Sequence, residues 1–243
     1  MIVAVTMMRD EADVAKAVVE HLLAEGVGLV IVADNLSSDS TRMQLEAIRG
    51  PVEILDDLDP AYWQAKKMNE LARRAENYGA TWVLPFDADE VWYSPQGRIV
   101  DVLDDLDAEV IEAPGYDHIA TLGDLSGHPF RSIEHRRPHP QTFPKVAFRP
   151  SSKALLHQGN HFVDHPGRRV GGVLEYRHFQ YRSLDQFVRK VRQGKAAYDL
   201  TDLPESAGQH WRLLGAMSDE QLRAEWERLC REQGLVWDPA PLR

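Results

Sequence analysis

Two rhythms of apolar positions alternate through the first part of the chain. Residues 2–7 are a short continuous β-rich run. Residues 10–25 then place Val14, Val18 and Leu22 at i, i+4 and i+8, with Gly26 where a helix C-terminal cap belongs. Residues 29–33 read as a second buried strand. Asp39 or Ser40 can cap a short helix through Ile48, and residues 52–55 form a third strand. Asp59 before Pro60 marks the N-cap and first position of a long helix to about Asn77, closed by Gly79. Residues 81–86 are the fourth strand. A βαβαβαβ order predicts a mostly parallel sheet with right-handed crossovers.

The pattern changes near Pro114. Residues 115–141 are rich in Gly, His, Pro and Arg without a sustained period, which predicts a long loop or short pieces of the functional kind. Residues 145–149 and 170–177 read as further strands. Ser183-Leu184-Asp185-Gln186 fits a capping box opening a helix to about Tyr198, and Ser218 with Gln221 opens a last helix ending at Gly234. With no repeat or Gly/Ser linker, one domain is expected. Residues 1–113 would form its nucleotide-binding half, and 114–243 a half of different character with the C-terminal helices.

Composition narrows the function classes. Hydrophobic residues at 43% and charged residues at 27% describe a globular chain. A net charge of −10 argues against generic nucleic-acid binding. The single cysteine, Cys230, excludes an intrachain disulfide framework and a cysteine-based zinc cluster, and its helical setting suits a half-buried structural thiol. No apolar run is long enough to span a bilayer, and residues 1–5 lack the basic flank of a signal peptide. Cytoplasmic residence, with room for peripheral membrane contact, is the resulting expectation.

Candidate chemistry gathers where the strands end. The first runs into Thr6-Met7-Met8-Arg9-Asp10-Glu11, the second into Asp34-Asn35-Leu36-Ser37, and the fourth into Asp87-Ala88-Asp89-Glu90. In a parallel sheet these ends share one edge and make one cleft, able to hold a nucleotide. Neither Gly-x-Gly-x-x-Gly nor a P-loop sequence follows the first strand, so a positive group must come from elsewhere. Asp87 and Asp89, one residue apart on a turning backbone, can both reach a hard divalent cation that substrate phosphates complete. An ordinary acidic turn is the competing reading. Pro85 before the pair requires an edge position or a bulge in that strand.

These motifs, in order, resemble a GT-A glycosyltransferase of the family 2 kind. The resemblance rests on Arg9-Asp10-Glu11, on Asp34-Asn35-x-Ser37-x-Asp39-x-Thr41, and on Lys66-Lys67-x-Asn69 leading into Phe86-Asp87-Ala88-Asp89-Glu90. It covers residues 1–93 well. A weaker echo continues in Lys145-Val146-Ala147-Phe148-Arg149, His161, Tyr176-Arg177-His178-Phe179 and the segment from Ser183 to Lys190, similar to a bacterial subgroup. Asp10 stands where Asn is more usual. The resemblance implies that Glu11 and Asp34 contact the nucleoside and that Lys67 lies near the base or diphosphate. It further implies that Asp87 touches ribose or metal, and that Asp89 ligates Mn²⁺ or Mg²⁺ bridging the diphosphate. Thr6, Arg9 and Ala88 belong to the same strand-end binding surface.

The C-terminal half adds charge. From Arg168 to Lys195 there are eight Lys or Arg against Glu175 and Asp185. A solvated basic helix face explains this as well as a mobile helix that closes on a diphosphate leaving group. In the second case Arg182, Arg189 and Lys190 are the expected contacts. Eight of the ten histidines lie between His118 and His178. His178, ending a strand before the capped helix, could complete a metal site with Asp89, with His161 as a competing metal or acceptor residue. Asp164 is the expected general base for the acceptor hydroxyl, with Asp117, Asp124 and Glu175 as alternatives.

The combined expectation is an α/β, GT-A-like single domain with a mostly parallel central sheet flanked by helices. It would be a metal-dependent, hexosyltransferase-type enzyme using Mn²⁺ or Mg²⁺. It would move a sugar from a nucleotide diphosphate sugar to a carbohydrate, lipid-linked or small-molecule acceptor, and the resemblance implies inversion. A nucleotidyltransferase and a non-catalytic nucleotide-sugar-binding module are the rivals. A His-rich metallohydrolase is weaker, since no His-x-His or His-Glu-x-x-His pair is present.

Overall fold

Alternate residues of the first strand face opposite ways, and both sets are apolar. Val3 and Val5 lie in one buried cluster, Ile2 and Ala4 in another. A strand of this kind needs cover on both faces. The computed structural model, which describes residues 1–122 and 127–243, supplies it. Its first part runs β1 (Ile2–Met8), α1 (Ala15–Ala24), β2 (Leu29–Asp34), α2 (Thr41–Glu46), β3 (Val52–Asp56), α3 (Gln64–Asn77) and β4 (Trp82–Pro85). Met68, Leu71, Ala72 and Ala75 of α3 cover one face, while Val18, Val19 and Leu22 of α1 cover the other. Each large apolar side chain so buried contributes about 1.5–3 kcal/mol. Gly26 stands just beyond α1 with φ +92, and Gly79 closes α3 with φ +76, left-handed positions that suit glycine.

The rest of the chain extends this sheet and adds a second. It runs β5 (Glu90–Tyr93), α4 (Ile99–Asp104), β6 (Val110–Ala113), β7 (Gly115–Asp117), α5 (Pro129–Ser132), β8 (His135–Arg136) and β9 (Lys145–Phe148). There follow β10 (Leu155–Leu156), a 3-10 turn (Gln158–Asn160), β11 (Val163–Asp164), β12 (Arg169–Gly171) and β13 (Glu175–His178). The chain finishes with α6 (Leu184–Asp199), α7 (Gln209–Gly215), α8 (Asp219–Cys230) and β14 (Val236–Trp237). The central sheet has seven strands in the order β12-β6-β9-β4-β1-β2-β3. Only β9 runs against its neighbours, so the expected mixed α/β architecture with a mostly parallel sheet is borne out. No helix among the described residues is long and apolar enough to cross a membrane.

Several local expectations are corrected. Helix α3 begins at Gln64, not Pro60: Asp59 Oδ1 takes the Ala61 N–H at 3.0 Å, but its carbonyl is bound by Asn35 Nδ2 at 2.6 Å and by Lys67, which holds the segment as a loop. Strand β4 is neither an edge nor bulged. Phe86 N–H bonds Val5 O at 3.0 Å, so the missing N–H of Pro85 falls on the β9 side, beyond the single Val83–Phe148 pairing. Residues 170–177 are not one strand. Gly172, at φ +74, separates β12 in the central sheet from β13 in a three-stranded sheet ordered β5-β13-β7. Helix α8 has its reciprocal Ser218–Gln221 capping box and ends at Cys230, which is buried rather than half-buried.

The small sheet sets the site. Strand β13 is antiparallel to β5 and parallel to β7, in a register that puts His178 beside both Glu90 and Asp117. Phe179 N–H also donates to Asp89 O at 2.8 Å. The acidic turn after β4 therefore lies directly against the end of β13 and the start of α6.

Candidate functional site

Pro85 ends β4 and Glu90 starts β5, leaving Asp87-Ala88-Asp89 to make the turn between them. Asp87 N–H donates to Glu90 Oε2 and Glu90 N–H to Asp87 O, both at 3.0 Å, which fixes the turn. The neighbouring strand ends are tied together by Asp10. It adopts φ +54, and its carboxylate accepts the N–H groups of Ser38 at 2.6 Å and Asp39 at 3.0 Å. Those bonds, with Gln193 from α6, outweigh desolvation and lower its pKa. Asp10 thus organises the loops after β1 and β2, and α6 closes over them.

A cleft of about 890 Å³, counting its open mouth, lies along this edge. Arg9, Glu11, Asp87, Ala88 and Asp89 line one side, and His178, Lys190, Tyr198 and Trp211 the other. Gly194 of α6 lets Trp211 of α7 approach, since a Cβ there would stand 2.8 Å from its ring.

The acids are matched by cations from the C-terminal half. Lys190 Nζ lies 2.6 Å from Asp89 Oδ2 and 2.8 Å from Glu11 Oε1. Arg182 pairs with Glu11 and, at 2.7 Å, with Asp13, while its Nη1 stands 3.9 Å from Asp89. Lys145, at the start of β9, pairs with Asp87 and lies 2.6 Å from Glu90 Oε1. His178 faces a carboxylate with each ring nitrogen: Nδ1 is 2.9 Å from Asp117, and Nε2 is 3.7 Å from Asp89.

Protonation follows from these contacts. Burial opposes the Asp89 charge, but Lys190, His178 and Arg182 hold its carboxyl well below the usual range. Burial would also discharge His178, yet Asp89 and Asp117 carry its pKa up to about 10. Asp117 is likewise desolvated and still falls to about 2, through His178, Gln141 and Arg137. Lys145 is buried and held charged by Asp87 and Glu90.

The structure brings Arg9, Glu11, Asp87, Ala88, Asp89, His178 and Lys190 of the expected set to the cleft. Arg182 stands behind them, and Arg189 Nη2 donates to Asp10 O at 3.0 Å. Five others are not among its lining residues. Thr6 is buried, with its hydroxyl on Met7 O at 3.3 Å. Asp34 takes the Ser37 N–H at 3.2 Å, and Lys67 pairs with Asp57 at 2.7 Å, so both hold loops. His161 bonds Pro144 O at 3.0 Å. Asp164 is exposed on β11, paired with His157 at 2.9 Å in the short β10–β11 hairpin, and does not line the cleft. Of its alternatives, Glu175 bonds Tyr93 and Arg177, and Asp124 lies outside the described residues. Asp117 lines a smaller adjoining pocket with Arg137, Gln180, Tyr181 and Trp226; Gln180 lines both pockets.

The expected divalent cation meets a donor set that does not fit it. His178 is drawn toward its charged form by Asp89 and Asp117, which disfavours it as a metal ligand. Asp87 and Asp89 each already carry an ammonium, and among the described residues no group of three His, Cys, Asp or Glu could hold a metal ion. Lys145 went unassigned at the level of sequence. The signal was there: a lysine opening the apolar run Lys145-Val146-Ala147-Phe148, where an inward charge demands a buried partner.

Neither a family model nor a curated protein matches the chain. Solved structures do. TarS of S. aureus (residues 1–349) matches over 86% of this chain and 68% of its own, at 13% identity and a TM-score of 0.46. HddC from Yersinia pseudotuberculosis, complexed with GMP-PN, matches over 83% and 100%, at 11% identity and 0.43. Glucosyl-3-phosphoglycerate synthase from Mycobacterium tuberculosis, with Mn²⁺, UDP and glucosyl-3-phosphoglycerate, matches over 47% of this chain and only 44% of its own, at 16% and 0.34. At this distance none of them assigns an activity here.

Proposed function

We propose that the protein is a GT-A-like glycosyltransferase that takes a sugar from a nucleotide diphosphate sugar. The observation that supports this most is the cleft at the carboxyl ends of parallel strands, with acids on the sheet side and the cations Lys190 and Arg9 within it. Acidic and amide groups such as Glu11 and Asn35 suit the donors of a base and ribose. Lys190 and Arg9 suit a diphosphate, whose departure they stabilise as charge builds on the leaving oxygen. The acceptor hydroxyl enters from the side of Asp117 and Trp226 and attacks the anomeric carbon, with inversion. The C1–O bond to the diphosphate breaks, and Asp117 takes the proton, the role first expected of Asp164. Its wall position beside His178 supports that exchange of roles. Because His178, Gln141 and Arg137 hold its pKa near 2, it must give up one of these partners to the acceptor hydroxyl before it takes the proton.

A turnover screen of UDP-, GDP- and dTDP-sugars against sugar and glycolipid acceptors tests the reading. Release of the nucleoside diphosphate together with a glycosylated product is the expected result. Asp117→Asn should keep donor binding and lower turnover by about 10²-fold or more. Joining of a nucleotide to a sugar phosphate with release of pyrophosphate would instead establish the nucleotidyltransferase rival. Donor binding with no turnover under any pairing would establish the binding module.

A further inference from the structure

The cations in this site are not interchangeable. Lys145 is enclosed between Asp87 and Glu90, with its side chain 5% exposed. Arg182 is fixed by Asp13, Glu11 and the Phe179 carbonyl, at 1% exposed. Lys190 is different: its side chain is 19% exposed, it lines the cleft, and its stem is flexible. Arg9 also lines the cleft, and its Nε is buried with no partner among the described residues. A buried guanidinium nitrogen left unpaired is costly unless a ligand pairs it.

The acids show the complementary arrangement. Asp89 would not be stranded if Lys190 turned away, because Arg182 Nη1 at 3.9 Å and His178 Nε2 at 3.7 Å still face it. Glu11 would keep Arg182. Asp87 would keep Lys145 throughout. The pair of aspartates expected to hold a divalent cation is therefore already engaged in holding ammonium groups, one fixed and one free to move.

We propose that this site binds its donor diphosphate without a divalent metal, Lys190 swinging from Asp89 to the phosphates and Arg9 completing the contact. Asp87 and Asp89 then serve to position Lys145 and Lys190, rather than to ligate a cation. The inference rests on the nucleotide diphosphate reading above. Lys190 is a phosphate ligand in it, and Asp89 a positioning residue.

Titration calorimetry of the full chain with UDP, GDP and dTDP, once in EDTA and once with Mn²⁺, tests it. The preferred nucleotide should bind with the same affinity in both. In EDTA, Lys190→Met should weaken binding by about 10–100-fold, the worth of one charge-assisted hydrogen bond. Arg9→Gln should weaken it similarly. Since Arg9 has no partner to strand among the described residues, that variant keeps the test decisive if Lys190→Met fails to fold. Binding seen only with Mn²⁺, or variants that bind in EDTA as well as the parent does, would overturn the inference while leaving the donor class intact. Absence of binding to any nucleotide in either buffer would bring down the donor reading and this inference with it.

Discussion

Along the sheet side of the cleft, acids sit at strand ends and their positions are set by backbone. Asp87 is held by the turn closed with Glu90, and Asp10 by the N–H groups of Ser38 and Asp39. Along the opposite side, cations arrive from β9, from the residue before Ser183 and from α6, and the acids are their main hold, with the Phe179 carbonyl added at Arg182. One side is fixed by hydrogen bonds to backbone N–H groups at the neighbouring strand ends, the other by charge between elements far apart in the chain, as between Glu11 and Lys190. The sheet side should survive loss of the cations, whereas the helical side depends on the acids.

Asp89→Asn probes this dependence most severely. It leaves Lys190, Arg182 and His178 facing a neutral amide, and removing one member of a buried charge set costs about 3–5 kcal/mol. Urea unfolding should show that loss, and hydrogen exchange should rise along α6 while β1 and β2 stay protected. Equal loosening of both sides would mean that the sheet side leans on charge as well.

His178 joins the two sides, and its effect is smaller and depends on pH. Because its pKa is raised to about 10 in the folded state, its contribution is complete below the unfolded value of 6.5. It is lost as pH climbs through 10, by about 2–4 kcal/mol. Asp117 has the opposite sign: its contribution is full above 3.8 and lost as pH falls through about 2. The stability gap between parent and His178→Gln should therefore narrow from pH 6.5 to 10, measured by urea midpoints. A gap that stays constant would mean the imidazolium is not what binds β13 to the acidic turn.

The same contrast decided what the sequence revealed. Strand ends and helix faces on the sheet side follow from short-range periodicity, so β1 to β4, Gly26 and the grouping of Glu11 with Asp87 and Asp89 were all legible. The basic run from Arg168 to Lys195 was visible as charge, but not its partners, because a salt bridge carries no local signature. That is why His178 reads as a metal ligand until two carboxylates are found on its ring. Pro60 misled for a related reason: Asn35, from the loop after β2, and Lys67, from α3 itself, both bind the Asp59 carbonyl and hold it out of the helix it would otherwise start.

Asp164 supplies the smallest expected effect and the control for the rest. Its only ion pair among the described residues is with His157, both side chains are about half exposed, and it lies on a two-stranded hairpin away from the cleft lining. Exposed pairs of this kind contribute about 0–1 kcal/mol, so Asp164→Asn should move the urea midpoint by little and leave nucleotide affinity unchanged. Turnover should also stay at the parent level, in contrast to Asp117→Asn. If Asp164→Asn alone removed turnover, the hairpin would have to fold onto the cleft during the reaction. The acceptor side would then be built by a movement of β10 and β11, not by the wall of Asp117 and Trp226.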